Sequence, residues 1–293
     1  INQQELLIAA KEIQIPTFIL YKEGMFPIDR SEDVIDIFYK TKQFNADKIF
    51  FYNENIKKTL LASNLPGLEE AKTSVVGVPR LDHSIRNKIT QCRGNKVLLF
   101  LYAPKVKSQY LFDGNNNIDE FEERLSVFQK NFLDLAIKHP QIDLIIKSKP
   151  DPASILFFQS LLSKSQITKL PDNITFTSTK NPSKLILDST YIAGYSSTTL
   201  IEALIHKKTI ISPDVKDFFG TKSPDLFGSH NLGVNYVNNI DLLEDLIIFN
   251  RPKRNHASSH EVDSFLESMI YKADGNASIR VEEYMIKEIK NIN

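Results

Sequence analysis

Two hydrophobic rhythms alternate along this chain. Short, nearly continuous apolar runs occur at PTFILY (16–21), DKIFFY (47–52), SVVG (74–77), NKVLLFLYAP (95–104), 142–146, 173–176, 191–194 and 209–211. Runs of that length, bounded by Gly, Pro or Asn, predict buried strands. Between them lie stretches with apolar residues at helical spacing. Residues 2–13 carry Leu6, Leu7, Ile8, Ala10 and Ile13, and further helices are predicted at 33–39, 53–61, 118–138, after Asn181, from Leu200, and at 241–249, 261–271 and 277–289. Strand and helix alternating in this way predict an α/β fold with parallel sheets and helices on both faces.

The polar stretch from His83 to Gly94 interrupts the pattern before a strongly apolar strand. It predicts a domain break, with one Rossmann-like domain over residues 1–86 and a second over 87–293. The chain opens at Ile1 on a helix that already feeds a strand, so the first domain is expected to be incomplete here. Residues 105–117, with their GNNN tetrad, and 214–233, rich in Phe, Gly, Ser and Pro, are expected to be loops bordering the ligand site. His139-Pro140 reads as the terminator of the long helix.

The stretch DSTYIAGYSSTTLIEALIHKKTIISP (188–213) carries the most chemistry. It predicts a strand ending at Gly194, a hydroxyl-rich turn (Tyr195, Ser196, Ser197, Thr198, Thr199), a helix, and another strand. In an open α/β sheet, ligands bind where a strand's carboxyl end meets a helix N-terminus. Unpaired N–H groups and the helix dipole favour an anion there. One hydroxyl suffices to cap the helix; the surplus suits phosphate oxygens, and Glu202, one turn in, suits ribose hydroxyls. The plain alternative is an N-cap run followed by an exposed Glu. Other strands bring Tyr102 and Pro104, Lys147 and Lys149, and Lys22-Glu23-Gly24 to the same kind of edge.

GYSSTTLIEALIHKKTIISP resembles the donor-site segment of GT-B nucleotide-sugar glycosyltransferases of bacterial surface polysaccharide synthesis. ADKIFFYNENIKKTLLASNLP, the TSVVGVPRLD phrase and ADGNASIR resemble other parts of the same family. The resemblance implies two Rossmann-like domains facing a cleft, acceptor-side domain first. It implies donor contacts from Ser196, Ser197, Thr198, Thr199 and Glu202, with Tyr102, Pro104 and Lys147 along the same edge. Family members commonly carry a His-Pro pair where this chain has KSKP, so Lys149 takes the histidine's place. A lysine still neutralises phosphate as a point charge but cannot accept a hydrogen bond as neutral imidazole does. Glu23 is the candidate general base; its alternative is a salt bridge with Lys22 or Arg30. Arg80 and Asp82 read as a structural pair. The implied partners are a nucleotide-sugar donor and a glycan or lipid-linked glycan acceptor. The implied setting is cytoplasmic, with room for peripheral association at the inner membrane face. Epimerisation of a sugar nucleotide, or silent binding of one, are the alternative functions.

Composition trims this picture. Apolar residues are 42% and charged residues 25% of 293, with 36 basic and 36 acidic side chains, so nothing global points to nucleic acid. The single cysteine, Cys92, has no partner for an internal disulfide. The six histidines are scattered, and no Asp-x-Asp, P-loop, Gly-x-Ser-x-Gly or Gly-x-Gly-x-x-Gly is present. No metal and no cofactor is therefore expected.

Overall fold

A computed structural model describes residues 3–21, 25, 43–87, 94–102, 118–220, 225–228, 232–251 and 258–292. The expected helix at 33–39, the loop at 105–117, Cys92, Glu23 and Pro104 lie outside the described residues. The chain divides into two compact units, Ile1–Asn87 with Asp263–Asn293, and Lys88–Val262.

The first unit is built on a three-stranded parallel sheet in the order β1 (Phe18–Leu20), β2 (Lys48–Phe51), β3 (Thr73–Val75). Every residue of β2 is buried, which is why KIFF reads as an unbroken run. Lys48 is tolerated there because its Nζ donates to Ala71 O and pairs with Glu288, both at 3.0 Å. Helix α1 (Gln3–Glu12) precedes β1, and α2 (Glu54–Ala62) follows β2. Asn53 caps α2 by accepting from Ile56 N at 2.9 Å, and its Nδ2 donates to Met269 O at 2.9 Å.

That last bond reaches into the C-terminal helices, α9 (Ser259–Ile270) and α10 (Ala277–Ile292). The expected second domain ran to residue 293, but residues from Asp263 onward pack in the first unit. The reason is polar and long-range. Asp82, at the start of the short helix α3 (Asp82–Arg86), accepts from Ala277 N at 3.0 Å, Ser278 N at 2.7 Å and the Ser278 hydroxyl. Its carboxylate thus caps α10 from a distant point in the sequence. Arg86 donates to Gly275 O at 2.7 Å, and Arg280 to Val76 O at 2.8 Å and Asp274 at 2.7 Å. Gly275 has φ +72°, and a Cβ there would lie 2.7 Å from Arg86 Cγ, so the turn needs glycine. Residues 83–86, the start of the expected linker, belong to helix α3, in which Asp82 and Ser84 are buried.

The second unit is a six-stranded, all-parallel sheet in the order β6-β5-β4-β7-β8-β9. The strands are β4 (Lys96–Phe100), β5 (Asp143–Lys147), β6 (Ile174–Thr177), β7 (Tyr191–Ala193), β8 (Thr209–Pro213) and β9 (Asn235–Val237). Helix α4 (Ile118–Lys138) buries Phe121, Leu125, Phe128, Phe132 and Leu133, an apolar stripe at helical spacing. It packs with α5 (Pro152–Lys164) and α8 (Ile240–Ile247) over one sheet face, around Val97, Leu99, Leu144, Ile146 and Ile211. The remaining helices are α6 (Pro182–Leu187) and α7 (Thr198–Ile205). His139 follows α4, and its Nε2 lies 2.7 Å from Glu244 on α8.

Besides α3, α5 and β9 have no counterpart in the sequence pattern. The loop expectation for 214–233 also needs correction. Val215, Phe219, Leu226, Phe227 and Leu232 are buried, so the described residues of this segment, 214–220, 225–228 and 232–233, are packed. Asp225 holds its turn by accepting from Phe227 N at 2.9 Å and Gly228 N at 3.2 Å through Oδ1. Burial pushes the Asp225 carboxyl above the usual range, against the pull of Tyr236, the two N–H groups and Lys216. A raised folded-state pKa favours the protonated form in the fold, so that contribution to stability is lost as pH rises through the folded value. Asp225→Asn keeps the Oδ1 acceptor and removes the buried charge. It is expected to gain stability over the wild type on going from about pH 4 to about pH 7, read in urea melts at each pH. A gap that shrinks with rising pH would contradict the sign.

Candidate functional site

The strand order places a topological switch between β4 and β7. The chain leaves β4 for its neighbour β5 on one side and leaves β7 for β8 on the other. Open α/β sheets bind ligands in the crevice at the carboxyl edge of such a switch. Here that edge is made by Leu101-Tyr102 after β4 and by Gly194–Ser197 after β7. Gly194 sits tight against β4, where an added Cβ would be 3.3 Å from Phe100 Cβ.

The hydroxyl turn has a definite shape. Ser196 is exposed with φ +44°, the left-handed region that non-glycine residues seldom adopt. Ser197 is extended and is the N-cap of α7. Its Oγ accepts from Thr199 N at a long 3.4 Å and lies 2.7 Å from Thr199 Oγ1. The cap is therefore weak by distance, and two hydroxyls are paired side by side at the first turn. Glu202, expected in the plain reading to be exposed, is 5% exposed on α7.

Tyr102 faces this turn. Its ring meets Tyr195 edge-on, with centroids 5.5 Å apart. Gln129 on α4 grips its backbone, accepting from Tyr102 N at 2.8 Å and donating to Tyr102 O at 3.0 Å. Burial, and then the charge of Glu122, push the Tyr102 phenol up to about 12, so it stays neutral at ordinary pH. Phe121 packs on Tyr195, Phe218 and Phe219 with centroids 5.5–5.7 Å apart. Arg124 lies 4.5 Å over the Phe218 ring and pairs with Asp217 at 2.7 Å. Aromatic side chains thus fix the segments after β4, β7 and β8 to the N-terminal half of α4.

The other sequence candidates separate. Lys147, at the end of β5, donates to Ser148 O at 2.5 Å and Ser178 O at 3.0 Å, and burial lowers its pKa. Its ammonium straps the ends of β5 and β6. Lys149 is exposed, two residues before Asp151, which caps α5 by accepting from Ser154 N at 2.9 Å. Glu23 and Pro104 fall outside the described residues. Sequence reasoning missed Gln129; the available signal was a polar residue inside the apolar stripe of α4, where Ser126 is buried too. Among the described residues no cluster of His, Cys, Asp and Glu has the form of a metal site, and no helix is long and apolar enough to cross a membrane.

No protein-family profile and no curated sequence matches this chain. Solved structures do. A UDP-GlcNAc 2-epimerase from Methanocaldococcus jannaschii, in complex with UDP-GlcNAc and UDP, is 15% identical, with 95% of this chain and 72% of that chain covered and a TM-score of 0.53. A putative UDP-N-acetylglucosamine 2-epimerase from Listeria monocytogenes gives 12% identity, 97% and 71% coverage, and 0.54. The Neisseria meningitidis UDP-GlcNAc 2-epimerase bound to UDP-GlcNAc gives 16%, 96% and 72%, and 0.53. The fold is GT-B-like. At these identities the likeness extends to two Rossmann-type units and not to an activity.

Proposed function

We propose that this chain is an enzyme acting on a nucleotide-activated sugar, and that it transfers the sugar to a surface glycan acceptor. The observation that carries the proposal is the weakly capped hydroxyl turn of α7 at the switch point, with Glu202 buried one turn in. Donor phosphate at the α7 N-terminus would meet the helix dipole, the Ser197 and Thr199 hydroxyls and the backbone N–H groups. Ribose hydroxyls would be read by Glu202. Glycosyl transfer breaks the bond between the anomeric carbon and the phosphate oxygen, so the leaving group gains negative charge. The same donors, with Lys149 as a point charge, stabilise it. Glu23 remains the proposed base, taking the proton of the acceptor hydroxyl.

A second reading is favoured by the solved structures, since the three described above are named as 2-epimerases of UDP-GlcNAc or UDP-N-acetylglucosamine. Epimerisation uses the same phosphate and ribose contacts and differs only at the sugar. Incubation with UDP-, GDP-, CDP- and CMP-sugars separates the readings. Glycan extension with nucleotide release supports transfer, a free epimer supports the second reading, and binding without turnover leaves a silent binding protein. Turnover is expected to persist in EDTA, because protein groups neutralise the phosphates in this proposal. Full loss in EDTA, restored by Mg²⁺ or Mn²⁺, would overturn that part.

A further inference from the structure

The end of β4 carries a buried polar side chain that the donor reading does not use. The β4–β7 ladder ends at the Leu99–Ala193 pair, and on the β5 side Leu101 N still donates to Lys147 O at 2.8 Å. At the next residue, Tyr102, one side chain takes both backbone groups. Gln129 Oε1 accepts from Tyr102 N at 2.8 Å, and Nε2 donates to Tyr102 O at 3.0 Å. Nε2 also donates to Leu125 O at 3.0 Å. Only this orientation of the amide satisfies all three bonds. Gln129 thus stands where a strand neighbour would stand. It is 2% exposed in the apolar stripe of α4, where an amide is costly to bury unless it is bonded.

The ring is fixed as well as the backbone. Tyr102 meets Tyr195 edge-on at 5.5 Å, and Tyr195 is itself held against Phe121 at 5.5 Å. Tyr102 nevertheless stays partly exposed at the carboxyl edge of β4. Tyr195 begins the hydroxyl turn, so Tyr102 stands across the switch from it.

We propose that Gln129 is a positioning residue for sugar recognition: by gripping the Tyr102 backbone it holds the Tyr102 ring as the wall on which the donor's sugar packs. This rests on the donor reading above. In that reading phosphate occupies the α7 N-terminus and ribose is taken by α7, so the sugar beyond the phosphate falls to the β4 side. A sugar ring offers an apolar C–H face to an aromatic ring. An uncharged group also suits this wall, because the Glu122 charge acts on the Tyr102 phenol and would repel a phosphate there.

The probes are UDP-, GDP-, CDP- and CMP-sugars, each titrated calorimetrically beside its own free nucleotide; the pair that the wild type binds is used with the variants. Tyr102→Leu removes the ring and leaves the backbone groups that Gln129 bonds. It is expected to lower affinity for the nucleotide sugar about tenfold and for the free nucleotide less than about twofold. Gln129→Met keeps the length of the side chain, loses its three bonds, and is expected to show the same selective loss. Because Gln129 acts through the ring, adding Gln129→Met to Tyr102→Leu should weaken sugar-nucleotide binding no further, while the urea midpoint still falls. The wild type supplies a readout that needs no variant. Exchange of the Gln129 side-chain amide protons should slow with the nucleotide sugar and not with the free nucleotide. Equal losses for nucleotide and nucleotide sugar in Tyr102→Leu would put the nucleoside on this wall and overturn the proposal. Unchanged sugar-nucleotide affinity in either single variant, additive losses in the double variant, or amide exchange indifferent to the sugar also overturns it and leaves the donor reading standing. Failure of all four nucleotide sugars to bind the wild type overturns both.

Discussion

Asp82→Ala is expected to cost about 3 kcal/mol of unfolding free energy, among the largest effects of any single truncation in the first unit. Asp82 is 5% exposed and accepts from two backbone N–H groups and one hydroxyl at the start of α10. Removing it leaves three donors without their acceptor, and each buried one costs about 1–3 kcal/mol. The upper end is not reached because Ser278 is exposed enough for water to replace part of the loss. Asp82→Asn keeps one carbonyl oxygen and should lose about half as much. Arg86→Ala removes the Nε bond to Gly275 O at 2.7 Å together with the ion pair to Asp82, so the pair is isolated by a double-mutant cycle of Arg86→Ala with Asp82→Ala. The guanidinium nitrogen is 3.8 Å from Asp82 and half-exposed, so the coupling energy should be less than about 1 kcal/mol. Urea unfolding gives the energies, and hydrogen exchange at the Ala277 and Ser278 amides locates them. If Asp82→Ala unfolds within about 1 kcal/mol of the wild type with those amides still protected, the cap is not what anchors α10.

This residue also marks where the sequence stops being legible. The phrase VPRLD announces a structural acid, and Asp82 is one. The pattern offers the neighbouring Arg80 as partner, whereas the N–H groups Asp82 caps lie 195 and 196 residues away in sequence. No local periodicity encodes such a contact. The same holds for Asn53 with Met269 and Arg280 with Val76, and together these bonds place the C-terminal helices in the first unit. Most strands fared better because they are buried runs in a parallel sheet, β1 with its pattern of partial exposure being the exception. KVLLF, LII and IIS need no partner to be read as apolar on both faces. Helix α5 was illegible for the opposite reason. In PASILFFQSLLSK, apolar residues sit on nearly every side, with Leu156 64% exposed and Phe158 4%, so no helical stripe stands out. Its start signal, Asp151 followed by Pro152 at the first helical position, was nonetheless present. At the candidate site, the hydroxyl turn and the strand ends could be read from type and spacing. The burial of Glu202, the grip of Gln129 on Tyr102 and the strapping of Lys147 to two carbonyls depend on packing and could not.

The hydroxyl turn yields the sharpest functional expectation. Ser197→Ala should lower nucleotide-sugar affinity about tenfold or more, because a hydrogen bond to a charged group contributes about 1.5–3 kcal/mol and each ~1.4 kcal/mol is a decade. The same change should cost less than about 1 kcal/mol of stability, since the Oγ to Thr199 N distance of 3.4 Å makes it a poor cap. Thr199→Val removes the hydroxyl 2.7 Å from Ser197 Oγ while keeping the side-chain shape. If the two hydroxyls act on one phosphate, the double variant should lose less than the sum of the singles, because each hydroxyl orients the other. Glu202→Gln makes a different separation. It should weaken nucleosides and nucleotide sugars alike and leave inorganic phosphate binding unchanged, because ribose is read by the carboxylate and phosphate by the turn. Calorimetric titrations of the variants, run beside thermal melts, give both quantities. Unchanged affinity in Ser197→Ala together with a melting point lowered by several degrees would mean that the run of hydroxyls serves only to start α7.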